Sequence, residues 1–582
     1  MTNRISAIAA AFGALALAAC GSGEPAAEAP ATPRPAEPAP DDGGIPAADM
    51  VFFGGPIYTA DDTRPMVEAV AVQDGRIVFA GPRAGANIWV GQATRLVDLE
   101  GAAMYPGFTD SHIHVLGVGQ RERLLNLDDV RSVAELVERV SGAVDAARPG
   151  DVVFGRGWIE THWPESRFPT RDDLDAVSPD NPVVLVRADG HALVANSAAL
   201  EAAGIDRDSQ APEGGEILFD EAGEPTGMLI DTAMGPAQAL VAQPSGAERA
   251  DTYAEGADRL ASLGWTGAHD MSVPWSDVAM IEDLADADRL PIRVYVSINP
   301  GGYADLAAGE VPRTADDGRV ITRAVKLYMD GALGSRGAAL LEPYSDRPDT
   351  SGLRIAEADE TTGMMTQALR DGIQMNVHAI GDRGNRSLLD WVGEALDQVP
   401  AEDRALAEHR WRDEHSQIVH PDDIPRFAEL GVIASMQPSH AIGDLHFAPD
   451  RLGDARLEGA YAWQSLLDAG AHLTGGSDAP VEQGDPRIEY YAATARADLS
   501  GFQGENWHAE EALSRSDALK LFTLWPAYAS FREDELGSIE AGKRADFTVF
   551  SADIMTIPEA EILEVEPLMT VVEGEIVWER AE

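Results

Sequence analysis

Across residues 105–530 the chain repeatedly follows a short apolar run with an amphipathic stretch, and this alternation restricts the fold more than any other feature. Such a pattern reads as βα units around a parallel sheet, because crossover helices cover both faces of the strands. Residues 133–140 followed by 151–154 are one example. The stretch is long enough for a (β/α)8 TIM barrel carrying an insertion, expected over about residues 150–245. Both flanks are different. Residues 51–56, 69–80 and 95–98 upstream, and 545–550 and 569–578 downstream, read as short strands, with Asp74-Gly75 and Glu573-Gly574 as hairpin turns. The expected architecture is therefore α/β: a barrel domain over 105–535 and a composite β-sandwich built from 45–104 and 536–582. A chain of 582 residues exceeds one compact core, and three or four domain-sized units is the ordinary expectation.

Charge narrows the partners. A net charge of −54 repels nucleic acid and anionic membranes, so neither is an expected partner, and it says nothing about which small-molecule substrate is bound. Oligomeric state is left open. The single cysteine, Cys20, rules out an internal disulfide or a cysteine-based zinc site. It follows Arg4, a mostly apolar run over 5–18 and Leu17-Ala18-Ala19, the layout of a secretory signal. Leu-Ala-Ala-Cys resembles a bacterial lipobox, which implies removal of residues 1–19 and lipid on Cys20; an ordinary signal with an incidental cysteine is the alternative. Residues 20–44, rich in Ala, Pro, Glu, Gly and Asp, then form a tether. The expected location is the cell envelope, with the lipid as the sole membrane contact. Neither Gly21 nor Ser22 is the Asp of inner-membrane retention, which favours the outer membrane, facing the periplasm.

Several histidines sit where a barrel keeps its chemistry, at strand ends. In Phe108-Thr-Asp-Ser-His-Ile-His114 the strand period puts Asp110, His112 and His114 on one face. Two imidazoles at that spacing can chelate one cation, although core packing produces the same pattern. Lysine occurs only at 326, 520 and 543; all other basic side chains are arginine. Lys326 shares a strand face with Ala324 and Tyr328, opposite Val325 and Leu327, and in a barrel that face points inward. A buried ammonium is costly. Neutral lysine can add CO2 to become an anionic carbamate, which arginine cannot do; a salt bridge to Asp330 is the alternative. His378 and His415 each end an apolar run, and Asp478 follows Leu-Thr-Gly-Gly-Ser, where small residues allow close approach to the backbone. Asp478 as a plain helix cap stays open.

Taken in order, Pro106-Gly-Phe-Thr-Asp-Ser-His-Ile-His114, Val325-Lys-Leu-Tyr-Met-Asp-Gly331, Val377-His-Ala-Ile-Gly-Asp-Arg383, Asp413-Glu-His415-Ser-Gln, Ser435-Met-Gln-Pro-Ser-His440 and Gly476-Ser-Asp478-Ala-Pro resemble the amidohydrolase superfamily, in its YtcJ-like or family 3 branch, which includes N-substituted formamide deformylases. The resemblance runs over about 47–579. It implies a TIM barrel, and His112, His114, N6-carboxylated Lys326, His378, His415 and Asp478 as ligands of one or two divalent ions. Zn²⁺ suits these N and O donors, with Mn²⁺, Co²⁺ or Fe²⁺ as alternatives.

The expected reaction is hydrolysis of an amide or N-acyl C–N bond by metal-activated hydroxide, with Asp478 as general base and then acid. Trp158, His191, His269, Arg336 and His440 are the candidate substrate contacts. Two competing readings are a metal-dependent esterase or lactonase, and a lipoprotein that binds a ligand without catalysis.

Overall fold

Eight strands of the central region lie side by side, all parallel: β1 (Phe108–Ile113), β2 (Trp265–Val273), β3 (Arg293–Ile298), β4 (Val320–Tyr328), β5 (Gln374–Ala379), β6 (Arg412–His415), β7 (Ile433–Met436) and β8 (Leu473–Gly475). They appear in a computed structural model that describes residues 47–127, 130–160, 163–187, 192–212, 215–241 and 245–581. Cys20, the tether and His191 lie outside those residues. The order in the sheet is the order in the chain, as right-handed βα crossovers require. Thr474 on β8 and Ser111 on β1 share a hydrogen bond between hydroxyls, and the Asp478 N–H donates to His112 O at 2.6 Å, which brings the first and last strands together. The result is a nearly closed (β/α)8 barrel, as the alternation predicts.

Strand alternation sorts the side chains. On β4, Val325 enters the large apolar core shared with the helices, whereas Lys326 faces the barrel interior. Helices Val115–Arg123 and Gly246–Leu263 cross closely because Gly119 and Gly256 carry no side chain: a Cβ at Gly119 would stand 1.8 Å from Thr252 O. That contact seats the helix that begins directly after His114.

The two chain ends build one composite β layer. Phe547–Phe550 pairs antiparallel with Ala103–Pro106, which joins the C-terminal strands to the N-terminal ones in a continuous eight-stranded sheet. Its hairpins turn at Asp74-Gly75 and Glu573-Gly574, and all four residues have positive φ, as type I′ turns require. Phe52, Val70, Val72, Phe547 and Val571 form its apolar core. Arg293 at the start of β3 ties the barrel to this sheet through Asp546 (2.6 Å) and Glu573 (3.3 Å). A cavity of about 40 Å³ lies at that end, bordered by His269, Arg293, Arg532, Arg544 and Asp546, and none of the six predicted ligands lines it.

The insertion is a separate six-stranded sheet that runs from Leu125–Asn126 to Pro225–Asp231. It starts earlier than about residue 150, and helix Val133–Ala146 with strand Val153–Trp158 belongs to it and not to the barrel. A local βα pattern carries the signature of a parallel pair, and the parallel pairing of Val153–Trp158 inside the inserted sheet has the same signature as pairing in the barrel. Ala47–Glu582 nevertheless forms one compact unit.

Candidate metal centre

The six predicted ligands meet at the C-terminal ends of the strands. Lys326 Nζ lies 3.1 Å from His112 Nε2. Asp478 Oδ1 lies 3.2 Å from His114 Nε2 and 3.6 Å from His112 Nε2. The rings of His112 and His415 are 4.8 Å apart, and those of His378 and His415 are 4.4 Å apart. Donor atoms of His112, His415 and Asp478 all fall within 4.8 Å of one another, close enough to hold one cation.

Electrostatics prepares this set for a cation. Burial pushes His112 down to about 4 and His378 to about 3, and holds His415 well below its ordinary range, so all three keep free lone pairs at neutral pH. Burial alone would raise Asp478, but the neighbouring histidines, His112 first, hold it well below the usual carboxylate range. Burial also brings Lys326 down to about 8 from 10.5. Asp330 does not pair with it. Its carboxylate accepts the N–H groups of Ala339, Ile380 and Gly381, so the salt-bridge alternative for Lys326 is not formed. Among the described residues buried His378 Nε2 has no hydrogen-bond partner, its nearest carboxylate oxygen being Asp330 Oδ1 at 3.6 Å, so its lone pair is free for a ligand. His114 differs: burial lowers it, but its hydrogen bond and charge interaction with Asp478 leave it raised. Three imidazoles kept neutral by burial, a fourth paired with a carboxylate, and an amine with a lowered pKa form a donor set that suits a divalent ion.

The chain holds these side chains by local means. Gly476 is needed for approach of backbone to backbone, since a Cβ there would stand 2.3 Å from His112 N. Asp110 accepts the N–H groups of His112 and Ser477 and the Ser477 hydroxyl (2.6 Å), which stitches β1 to the loop after β8. Burial pushes its carboxyl up to about 7. Asp478 does not cap a helix. Its backbone has φ 60°, and His415 and Ser416 have φ 85° and 40°, left-handed values that cost side-chain-bearing residues of order 1–3 kcal/mol each. Strain of this kind concentrates at functional sites.

The candidate substrate contacts divide. His440, on helix Pro438–Asp444, stacks on His415 at 5.9 Å and points Nε2 toward Asp478 Oδ2 and Glu482 Oε1, each at 3.8 Å. It belongs to the site. Trp158 does not: it is fully buried in the inserted sheet's core, with Nε1 donating to Leu185 O at 2.9 Å. Arg336 is held by Asp346 (2.7 Å) on its own loop, so its charge is already matched. His269 is buried beside Arg412, whose Nη1 lies 2.8 Å from His269 Nδ1, and it touches no ligand directly.

Several residues in or behind the site were not singled out from sequence. Glu414 reaches His112 Nδ1 at 2.6 Å, Gln437 reaches His415 Nδ1 at 2.7 Å, and Met271 O faces His114 Nδ1 at 3.0 Å. Tyr328, 40% exposed, stands 5.5 Å from the His378 ring with its hydroxyl on Ser272. Alternation from Lys326 to Tyr328 was the available signal for one of them.

The chain is similar to known proteins over most of its length. A profile described as "Amidohydrolase family" matches residues 95–578. A Bacillus subtilis (strain 168) protein named as the amidohydrolase YtcJ is 32% identical over 91% of this chain and 99% of its own. The N-substituted formamide deformylase of Arthrobacter pascens is 28% identical over 91% of this chain and 98% of its own. Among solved structures, a metal-dependent hydrolase from Pyrococcus horikoshii OT3 superposes with a TM-score of 0.71 and 27% identity, covering 88% of this chain and 99% of that one. Another from Pyrococcus furiosus gives 0.71 and 29%, covering 87% and 100%.

Proposed function

Since the chain belongs to the amidohydrolase family, we propose that it hydrolyses the C–N bond of a small amide or N-acyl compound, with a divalent ion, Zn²⁺ first among the choices, at the centre just described. The observation that carries the reading is the convergence of an ionised Asp478 on His112 and His114, with Lys326 buried beside them. The ion, held by His112, His114, Lys326, His378, His415 and Asp478, would supply Lewis acidity that acidifies water and polarises a carbonyl.

The residues supply the rest. Asp478 takes a proton from water as oxygen bonds to the carbonyl carbon, and returns it to nitrogen as the C–N bond breaks. An amide and water thus become a carboxylic acid and an amine. His440 is placed to contact the substrate's carbonyl or an acid group. Lys326, with its amine acidified by burial, adds CO2 and loses a proton to become a carbamate, an anionic oxygen donor. The similarity to the formamide deformylase supports the C–N choice. The Leu17-Ala18-Ala19-Cys20 sequence supports lipid attachment at Cys20 and a place in the cell envelope, facing the periplasm.

The test is metal analysis of protein produced with Zn²⁺ or Mn²⁺, then a hydrolysis screen over formamides, N-acyl amino acids, dipeptides, lactones and esters. Stoichiometric metal with turnover of an amide is the expected result. Protein without metal overturns the hydrolase reading, and turnover of esters or lactones alone overturns the C–N assignment.

A further inference from the structure

Three ligand histidines are backed by three chemically different acceptors. His114 Nδ1 meets a backbone carbonyl, Met271 O at 3.0 Å. His415 Nδ1 meets a neutral amide, Gln437 Oε1 at 2.7 Å. His112 Nδ1 meets a carboxylate, Glu414 Oε2 at 2.6 Å, and this is the sole charge-assisted contact of the three.

Glu414 is itself clamped. Arg412 Nη2 donates to its Oε2 at 3.1 Å, and Arg412 Nε stands 2.7 Å from Oε1. Arg412 is steered in turn by His269 Nδ1 and Ser435 Oγ, both at 2.8 Å, and by Ser111 O. Both members of the Arg412–Glu414 pair have side-chain exposures of 0%. An ion pair so deep loses as much in desolvation as it gains in attraction, and apolar residues of like volume do as well or better for stability. Stability therefore does not account for it. What it does provide is direction: an ionised carboxylate only accepts, so it fixes the proton on Nδ1 of His112. Gln437, whose Nε2 donates to Ser435 O at 3.4 Å, offers His415 only a neutral amide oxygen, a weaker acceptor than a carboxylate, and fixes that ring less firmly.

We propose that this chain anchors its metal on His112, and that Glu414, Arg412 and His269 are positioning residues. They hold the proton on Nδ1 and leave Nε2, the atom facing Lys326 and Asp478, as the strongest donor of the centre. The inference rests on the metal-hydrolase reading above and extends it to residues that touch neither metal nor substrate. Outer partners of this kind typically change metal affinity 10–100-fold.

Zinc affinity of the full chain, measured by chelator competition, tests it. Glu414→Gln should weaken zinc binding about 10–100-fold, and Gln437→Leu should weaken it less. Glu414→Gln strands the Arg412 charge, so Glu414→Gln/Arg412→Met is measured beside it; this variant should fold, by circular dichroism, and show the same weakened affinity. Wild-type affinity in a folded single or double variant overturns the proposal, and so does a Gln437→Leu loss as large as that of Glu414→Gln. A second measurement needs no altered fold. In wild-type protein labelled with ¹⁵N-histidine, the His112 signal, assigned by its loss in His112→Asn, should report a protonated Nδ1. A protonated Nε2 overturns the proposal. Wild-type protein that binds no zinc or other divalent ion overturns the hydrolase reading together with it, whereas zinc-binding wild type with an indifferent Glu414 overturns the anchor alone.

Discussion

The barrel interior and the core of the terminal sheet are both made of buried strands, yet they hold opposite contents. The sheet buries Phe52, Ile57, Val70, Phe547 and Val571. The barrel buries His112, Lys326, Asn376, Arg412, Glu414 and His415, each at 5% exposure or less. An apolar side chain stabilises the fold by about 1.5–3 kcal/mol when buried. A buried charge costs free energy unless it is paired, and left-handed backbone at His415 and Asp478 adds to that cost. The terminal sheet and the helix layer thus stabilise a frame within which the barrel interior is free to be unfavourable. The contrast teaches that stability and chemistry are separated in space here.

Four substitutions can break or sharpen that contrast. Asp478→Asn should reduce turnover by about 10²–10⁴-fold, the usual share of a general acid–base group, while thermal unfolding stays near wild type; full activity would remove Asp478 from the role. Phe547→Ala in the terminal core should do the reverse, losing about 3–5 kcal/mol in chemical denaturation with kcat/KM per folded molecule unchanged. Lys326→Met probes the barrel's cost directly. In metal-free protein, burial takes Lys326 from 10.5 to about 8. Between those values the unfolded chain keeps a proton that the folded chain has released, so wild-type stability from this group rises with pH through that window. The variant should be more stable than wild type at pH 8 and lose that advantage toward pH 10.5, read from paired denaturation curves. Trp158→Phe, in the inserted sheet, should cost about 1 kcal/mol for its lost hydrogen bond to Leu185 O and leave KM unmoved. A raised KM would return Trp158 to the substrate site.

Legibility followed residue chemistry. Lys326 stood out because two other lysines are all the chain has, and the structure shows why the contrast held. Lys520 and Lys543 make ordinary ion pairs with Asp62 and Glu540, a task arginine does equally well, whereas Lys326 sits inward without Asp330. Trp158 misled because an aromatic near a turn looks the same whether it lines a pocket or fills a core. Arg336 misled because a guanidinium's partner, here Asp346, is set by how a loop folds back. Glu414 was hidden by its place beside His415; adjacent residues on a strand point to opposite faces, and only the left-handed turn at His415 lets both serve one centre.

Periodicity by itself determined the barrel and the β-rich ends joined across the chain, because a strand's period of two and a helix's of 3.6 are local properties, whereas the ligand set came from the resemblance of the ordered motifs to a family. Tertiary structure alone decided that the insertion is its own sheet, that Asp330 turns to backbone N–H groups, and that Glu414 reaches across the barrel to His112, 302 positions away in sequence. Those outcomes depend on which buried polar group finds which partner, and that choice is made only when the strands close.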